Sequence, residues 1–189
     1  MCQLWLGTLW INTLEDEMKK PIVYLAGAIE STPDGGVGWR RDITKPLEEN
    51  GFKVFDPCIE RDGEIAKMLG WDEFSIKKWN ALKEDNFLQV FKIMHMVVSK
   101  DIEAVCNSDI LLAKYDTYAL TSAGTHGEIT LARSLDKLVV ILLDDHIGAD
   151  NIPAWVLGCV DSIYTEEDAL LRDLMETYLK RRAALHGEE

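Results

Sequence analysis

The chain has 189 residues, with 33 Asp and Glu against 20 Lys and Arg and a formal net charge of -13. So acidic a surface repels a polyanionic duplex and excludes nucleic acid polymer as the expected partner, while leaving room for one small anion held by backbone N–H groups. Hydrophobic residues at 47% and charged residues at 28% fit a soluble globular protein, and the length suits one domain with a sizeable core.

Met1 to Trp10 is apolar, but it lacks a basic flank, is too short to span a bilayer and runs into Glu15, Asp16 and Glu17, so no membrane partner is expected. Residues 1–17 read as an N-terminal extension, 18–183 as the domain and 184–189 as a C-terminal tail. Cys2, Cys58, Cys106 and Cys159 form no Cys-x-x-Cys pair and each sits beside apolar residues, which predicts buried free thiols in a reducing cytoplasm. His95, His126, His146 and His186 are scattered, so neither a metal nor a cofactor is expected.

Pro21-Ile22-Val23-Tyr24-Leu25-Ala26-Gly27 is a short apolar run ending in glycine, the form of a buried parallel strand feeding a ligand loop. A loop rich in Gly, Pro, Ser and Asp follows, then Trp39, Ile43 and Leu47 fall on one helical face, with Pro46 expected to kink or shorten the helix. Phe52 to Pro57 reads as a second strand stopped by proline, and 58–83 as an irregular insertion holding Trp71, Phe74 and Trp79. From Glu84 to Asn107, Phe87, Val90, Phe91, Met94, Val98, Ile102 and Val105 recur at helical spacing, with a break expected near Ser99. Asp109 to Ala113 and Leu138 to Leu143 are the third and fourth strands, joined by a helix starting near Gly124, and Ser162-Ile163-Tyr164 is a short last strand. Thr165 and Asp168 open a final helix striped by Leu171, Leu174, Met175 and Tyr178. This alternation predicts one doubly wound α/β domain of flavodoxin or Rossmann type, with a mostly parallel sheet of about five strands flanked by helices. Ligands in such folds sit outside the carboxyl ends of the strands.

Thr121-Ser122-Ala123-Gly124-Thr125-His126-Gly127-Glu128 carries the most information, because small residues lead straight into a helix whose free N–H groups and dipole make an anion site. Glu128 then falls in the first turn, near the carboxyl end of the third strand, where it is either a reacting carboxylate or a helix-initiating residue that suits the dipole. Gly27-Ala28-Ile29-Glu30 offers a second loop for a phosphate or sugar, though without a dinucleotide fingerprint. Asp109 opens its strand, where aspartate often serves a helix-to-strand turn, and Asp101 in the preceding helix reads on its own as a solvated side chain.

Taken together, Tyr24-Leu25-Ala26-Gly27-Ala28-Ile29, Asp101 with Asn107-Ser108-Asp109-Ile110-Leu111-Leu112, and Ser122 to Glu128 resemble the nucleoside 2-deoxyribosyltransferase family and its relatives, the 2'-deoxynucleoside 5'-monophosphate N-glycosidases. The resemblance covers about residues 20–165 and implies a retaining double displacement. Glu128 would attack C1' of the deoxyribose, and a second base or water would then release the glycosyl ester. Asp109 is implied as the residue handling protons at the base, with Asp101 the weaker candidate, and Tyr24, Gly27, Ile29, Ser122 and Gly124 as substrate-binding positions. A serine at 122, where transferases on free nucleosides tend to carry aspartate, tilts the substrate toward a 5'-monophosphate. Two departures weaken that tilt: Ile152-Pro153-Ala154-Trp155 lacks the serine that monophosphate enzymes lend from a neighbouring subunit, and the stretches 30–40 and 58–83 are longer than in compact members. Arg40 or Arg41 could supply phosphate charge and Trp39 could stack on a base, or all three could be ordinary surface and core residues. The resemblance also implies a homo-oligomer with shared sites. A non-catalytic nucleotide-sensing module on the same scaffold is the competing reading.

Overall fold

The computed structural model describes residues 20–186; the expectations for residues 1–17 and for Cys2 fall outside them. Five strands, β1 (Ile22–Ala26), β2 (Lys53–Phe55), β3 (Ile110–Tyr115), β4 (Leu138–Leu143) and β5 (Ser162–Tyr164), form one sheet in the order β2-β1-β3-β4-β5. Every pairing is parallel, with Val23 opposite Ile110 and Ile110 opposite Leu138. The expected doubly wound α/β fold is therefore present, and its sheet is parallel throughout.

Side-chain alternation sorts the apolar strand runs between two cores. Tyr24, Ala26, Leu111, Ala113, Val139 and Ile141 point to one face, where Ala104 and Val105 of helix α4 (Phe87–Asn107) and Ile129 and Ala132 of helix α5 (Ala123–Ser134) cover them. Val23, Leu25, Ile110, Leu112, Leu138 and Val140 point to the other, against Ile43 and Leu47 of α1 (Val37–Glu49) and Leu170 and Leu174 of α6 (Glu167–His186). Neither face is left to water, which is why β3 and β4 read as continuous apolar runs.

Several local expectations change. Helix α1 runs through Pro46 to Glu49, since the carbonyl that loses its partner there lies at the exposed Asp42. Residues 57–85 are regular: Asp56 accepts a hydrogen bond from the Cys58 N–H and Pro57 takes the first turn of α2 (Pro57–Leu69), while Ser75 caps α3 (Ile76–Asp85). These two helices pack with α4 around Ile65, Trp79, Val90, Ile93 and Val97, a small core separate from the other two. Helix α4 is unbroken at Ser99, whose exposed hydroxyl bonds back to the His95 carbonyl. Cys58 and Cys159 are buried as expected, but Cys106 is exposed.

The amino-terminal edge of the sheet is fastened twice by one device. Asp109 donates its N–H to the Ile22 carbonyl (2.9 Å) and accepts the Ile22 N–H on its carboxylate (2.8 Å). Asp161 does the same to Val139, at 2.8 and 2.9 Å. Each aspartate extends the ladder by one side-chain bond where a strand N–H would otherwise lack an acceptor. Replacing Asp109 with alanine should therefore cost about 1–3 kcal/mol in urea unfolding, the penalty for one partly buried donor left unpaired. An unchanged unfolding free energy would show that the carboxylate does not support this edge.

Candidate active site

The strand order reverses direction between β1 and β3, and the chain crosses there from one face of the sheet to the other, leaving a crevice at the carboxyl ends. Beyond β1 the segment Gly27–Gly36 loops over that end before α1 begins. Gly36 sits at φ 73° against the Ala28 carbonyl oxygen, with no room for a Cβ, so the loop turns there only with glycine. Under the loop lies Arg40, with no exposed surface.

Glu128 projects from α5 into the crevice, where its carboxylate accepts the Tyr24 hydroxyl at 2.7 Å. Tyr24 is fully buried in the middle of β1 and stacks on Phe55 of β2, with centroids 5.5 Å apart, so the phenol is fixed by both the stack and the hydrogen bond. Burial pushes the Glu128 carboxyl up to about 7, and the Asp101 charge adds to this; the Tyr24 bond and the cations Arg40 and Arg61 pull the other way. Asp101, from α4, is likewise pushed up by burial, to about 6, against the pull of Arg61 and Arg40. Desolvation and the Glu128 charge send the Tyr24 phenol far above its ordinary range, so it remains a donor. Two carboxyls thus face one cavity with raised proton affinity, while a neutral phenol favours charge on one of them.

The cavity has two lobes that meet at Asp101 and Glu128. A polar lobe of about 400 Å³ is bounded by Gly27, Ile29, Glu30 and Ser31 of the β1 loop, by Arg61 of α2 and by Ser122 to Thr125. An apolar lobe of about 460 Å³ runs between α4 and α5, along Val98, Ile102, Val105, Gly124, Gly127 and Leu131. A Cβ at Gly124 or Gly127 would meet nothing within 4 Å. Glycine inside a helix costs up to about 1 kcal/mol relative to alanine, and these two leave space that no described residue fills.

Helix α5 starts at Ala123, capped by Ser122, whose hydroxyl accepts the Thr125 N–H (3.4 Å) and meets the Thr125 hydroxyl (2.8 Å). The free N–H groups of its first turn open toward the polar lobe. Of the residues expected at the site, the structure brings together Tyr24, Gly27, Ile29, Asp101, Ser122, Gly124 and Glu128. Asp109 is not among them. It lies at the opposite end of β3, engaged with Ile22, and the carboxylate sharing the cavity with Glu128 is Asp101, eight residues earlier in the chain. Arg41 is exposed and paired with Asp42, and Trp39 packs against the core and the Arg40 guanidinium at 4.8 Å, so these two match their reading as ordinary surface and core residues and not as phosphate and base contacts.

Residues that sequence reading missed complete the lobe. Arg61 bonds Asp62 through Nε (3.0 Å) and Nη2 (2.7 Å), and its guanidinium lies 5.7 Å from the Phe74 ring. Glu30 accepts Trp79 Nε1 (2.9 Å) and Lys83 Nζ (2.7 Å), latching the β1 loop to α3. The Asp56-Pro57 cap places Arg61 in the second turn of a helix at the carboxyl end of β2, a signal obscured when 58–83 is taken as irregular.

No protein-family model matches the sequence, and no curated protein does either. Among solved structures, the 2-deoxyribosyltransferase of the psychrotolerant bacterium Bacillus psychrosaccharolyticus is similar over 79% of this chain and 90% of its own, with a TM-score of 0.53 and 18% identity. The chain has the fold of that enzyme. The Clostridium botulinum CMP N-glycosidase BcmB aligns over 81% of this chain and 97% of its own, at 20% identity and a TM-score of 0.42.

The raised Glu128 carboxyl has a consequence for stability. Its folded form keeps a proton that the unfolded chain releases near the ordinary carboxylate range, so ionisation penalises the fold as pH climbs from about 4.5 and in full above about 7. Glu128→Gln, which still accepts the Tyr24 hydroxyl, should stabilise the protein by about 1–3 kcal/mol at pH 8 and by almost nothing at pH 4 in thermal or urea unfolding. Equal effects at both pH values would refute the burial of this charge.

Proposed function

We propose that the protein cleaves the N-glycosidic bond of a 2'-deoxynucleoside or its 5'-monophosphate, with Glu128 as the nucleophile. The observation that carries this reading is the Glu128 carboxylate held by the Tyr24 phenol at the junction of both cavity lobes, with Asp101 beside it. A fold shared with a deoxyribosyltransferase supports it, as does the order of the segments around Tyr24, Asp101 and Glu128.

Chemistry at such a pair needs one carboxylate and one carboxylic acid. The Tyr24 bond favours the charged form of Glu128, which attacks C1' as the bond to the base loosens through an oxocarbenium-like transition state. The departing base leaves well only when its nitrogen is protonated, and Asp101 is the donor in this reading: burial raises both carboxyls, so the pair holds one proton between them near neutrality, and that proton must sit on Asp101 when Glu128 attacks. The same group then takes a proton from the incoming water or base as the ester is resolved. The assignment of proton handling thus moves from Asp109 to Asp101.

The free N–H groups at the start of α5 suit a 5'-phosphate or 5'-hydroxyl, and the absent Cβ atoms at Gly124 and Gly127 suit a sugar lying against the helix. Val98 and Ile102, on the apolar lobe, are 47% and 45% exposed, which agrees with a second copy of the chain closing that side.

Incubation with each deoxynucleoside and its 5'-monophosphate, with and without a second free base, should yield base exchange or base release, followed by chromatography. Glu128→Ala and Glu128→Gln should lower turnover by at least about a thousand-fold while leaving the fold intact. Ligand-dependent thermal stabilisation with no base released from any substrate would overturn catalysis in favour of a sensing module. Gly124→Ala should keep or raise thermal stability but increase KM severalfold, since its methyl group occupies the sugar's space; an unchanged KM would remove the substrate from this helix face.

A further inference from the structure

Among the described residues Arg40 is the one buried cation, and no ligand can reach it. Its guanidinium is nonetheless fully engaged. Nε donates to the Leu25 carbonyl (3.2 Å), Nη2 to the Gly27 carbonyl (2.9 Å) and Nη1 to the Gly36 carbonyl (2.7 Å), while Asp56 lies 3.7 Å from Nε. Gly27 and Gly36 are the two ends of the loop whose Gly27, Ile29, Glu30 and Ser31 border the polar lobe. One planar group therefore ties the tip of β1 to both feet of the loop, and through Asp56, the cap of α2, to the helix that carries Arg61. Lysine could not do this, because its three donors radiate from one nitrogen and cannot reach three separated carbonyls as the three nitrogens of the guanidinium do.

A charge buried this deeply is expensive, and apolar residues of similar size usually hold a core at least as well. Loop anchoring alone accounts for the hydrogen bonds but not for a full positive charge balanced by only one carboxylate. The charge has targets. Arg40 bears electrostatically on Tyr24, Asp101 and Glu128 together.

We infer that Arg40 is a positioning residue for the reaction: without touching substrate, it fixes both ends of the Gly27–Gly36 loop and stands as the permanent positive charge behind Glu128 and Asp101. This rests on the reading of Glu128 as nucleophile. The charged or titratable groups facing Glu128 are Tyr24 on β1, Asp101 on α4, Arg61 on α2 and Arg40 on α1, with His126 on its own helix turned away to the Tyr115 hydroxyl at 2.8 Å. Removing a cation from this set favours the protonated carboxyl, whereas removing the anion that offsets the cation favours the carboxylate.

The test is a titration of the Glu128 carboxyl by NMR of the full chain labelled with ¹³C-glutamate, the resonance being identified by its loss in Glu128→Gln. In Arg40→Gln the midpoint should rise by about half a pH unit or more, and in Asp56→Asn, where asparagine still caps α2, it should fall. Arg40→Lys should keep the wild-type midpoint but raise KM severalfold, because the charge remains while the loop loses its anchors. The acid limb of kcat/KM should move in the same directions as the midpoints. A purely structural Arg40 would lower activity and leave both midpoint and limb in place, and shifts of the same sign in Arg40→Gln and Asp56→Asn would equally overturn the inference. If Arg40→Gln does not fold, the fall in Asp56→Asn decides. The NMR midpoint is read without turnover, so an inactive wild-type protein would count against the proposed function and leave this result to stand or fall by itself.

Discussion

The hydrogen bond from Tyr24 to Glu128 joins the middle of the first strand to a helix that begins far along the chain, between a fully buried phenol and a half-buried carboxylate. A phenol in such surroundings keeps its proton, so it can only donate, and a carboxylate next to it gains a bond that its protonated form would not need. The rest of the site is organised around holding those two groups in that relation. Alternation along β1 turns Tyr24 toward the α4–α5 face, the β1–β3 pairing sets its height below the crevice, and the cap at Ser122 starts α5 where Glu128 comes over it.

Charge is arranged in opposition to the protein as a whole. The chain carries -13, yet Arg61 borders the cavity that holds the carboxyl pair and Arg40 lies fully buried under the β1 loop, each acting electrostatically on both carboxyls. These cations lie behind or beside the pair, and each is itself tied to an aspartate. A strongly acidic surface therefore coexists with a local field that makes one negative charge tolerable inside the cavity. The helix N-terminus adds its own partial positive charge for the part of a ligand that lies against Ser122 and Ala123.

Most of the fold was legible in the sequence because both faces of the sheet are covered. Leu138 to Leu143 and Ser162 to Tyr164 are strands at the residues expected, and the spacing of Val90, Val105, Ile129 and Ala132 located the helices that cover one face. Residues 58–83 were harder: their helices pack on a small local core around Trp79, so their apolar residues are few and set among charges. Glu128, Ser122 and Gly124 stood out because glycines and a cap run directly into a helix. Asp109 misled for a physical reason, since an aspartate opening a strand looks the same whether it faces a ligand or bonds a neighbouring strand's N–H, and only the pairing with Ile22 separates the two. Arg40 read in the sequence only as a phosphate contact or an ordinary surface residue, and it is neither. Its role depends on three carbonyls that no side-chain pattern reveals.

The central claim is that Glu128 becomes covalently attached to the sugar. Its most direct test is intact and peptide mass spectrometry after acid quenching with 2'-fluoro-2'-deoxynucleosides and their 5'-monophosphates, whose electron-poor sugar slows formation and breakdown of an ester at C1'. The account predicts one sugar adduct per chain on the peptide containing Glu128, formed with release of one equivalent of base and absent from Glu128→Gln. Steady base release with no adduct, or an adduct that persists in Glu128→Gln, would contradict it.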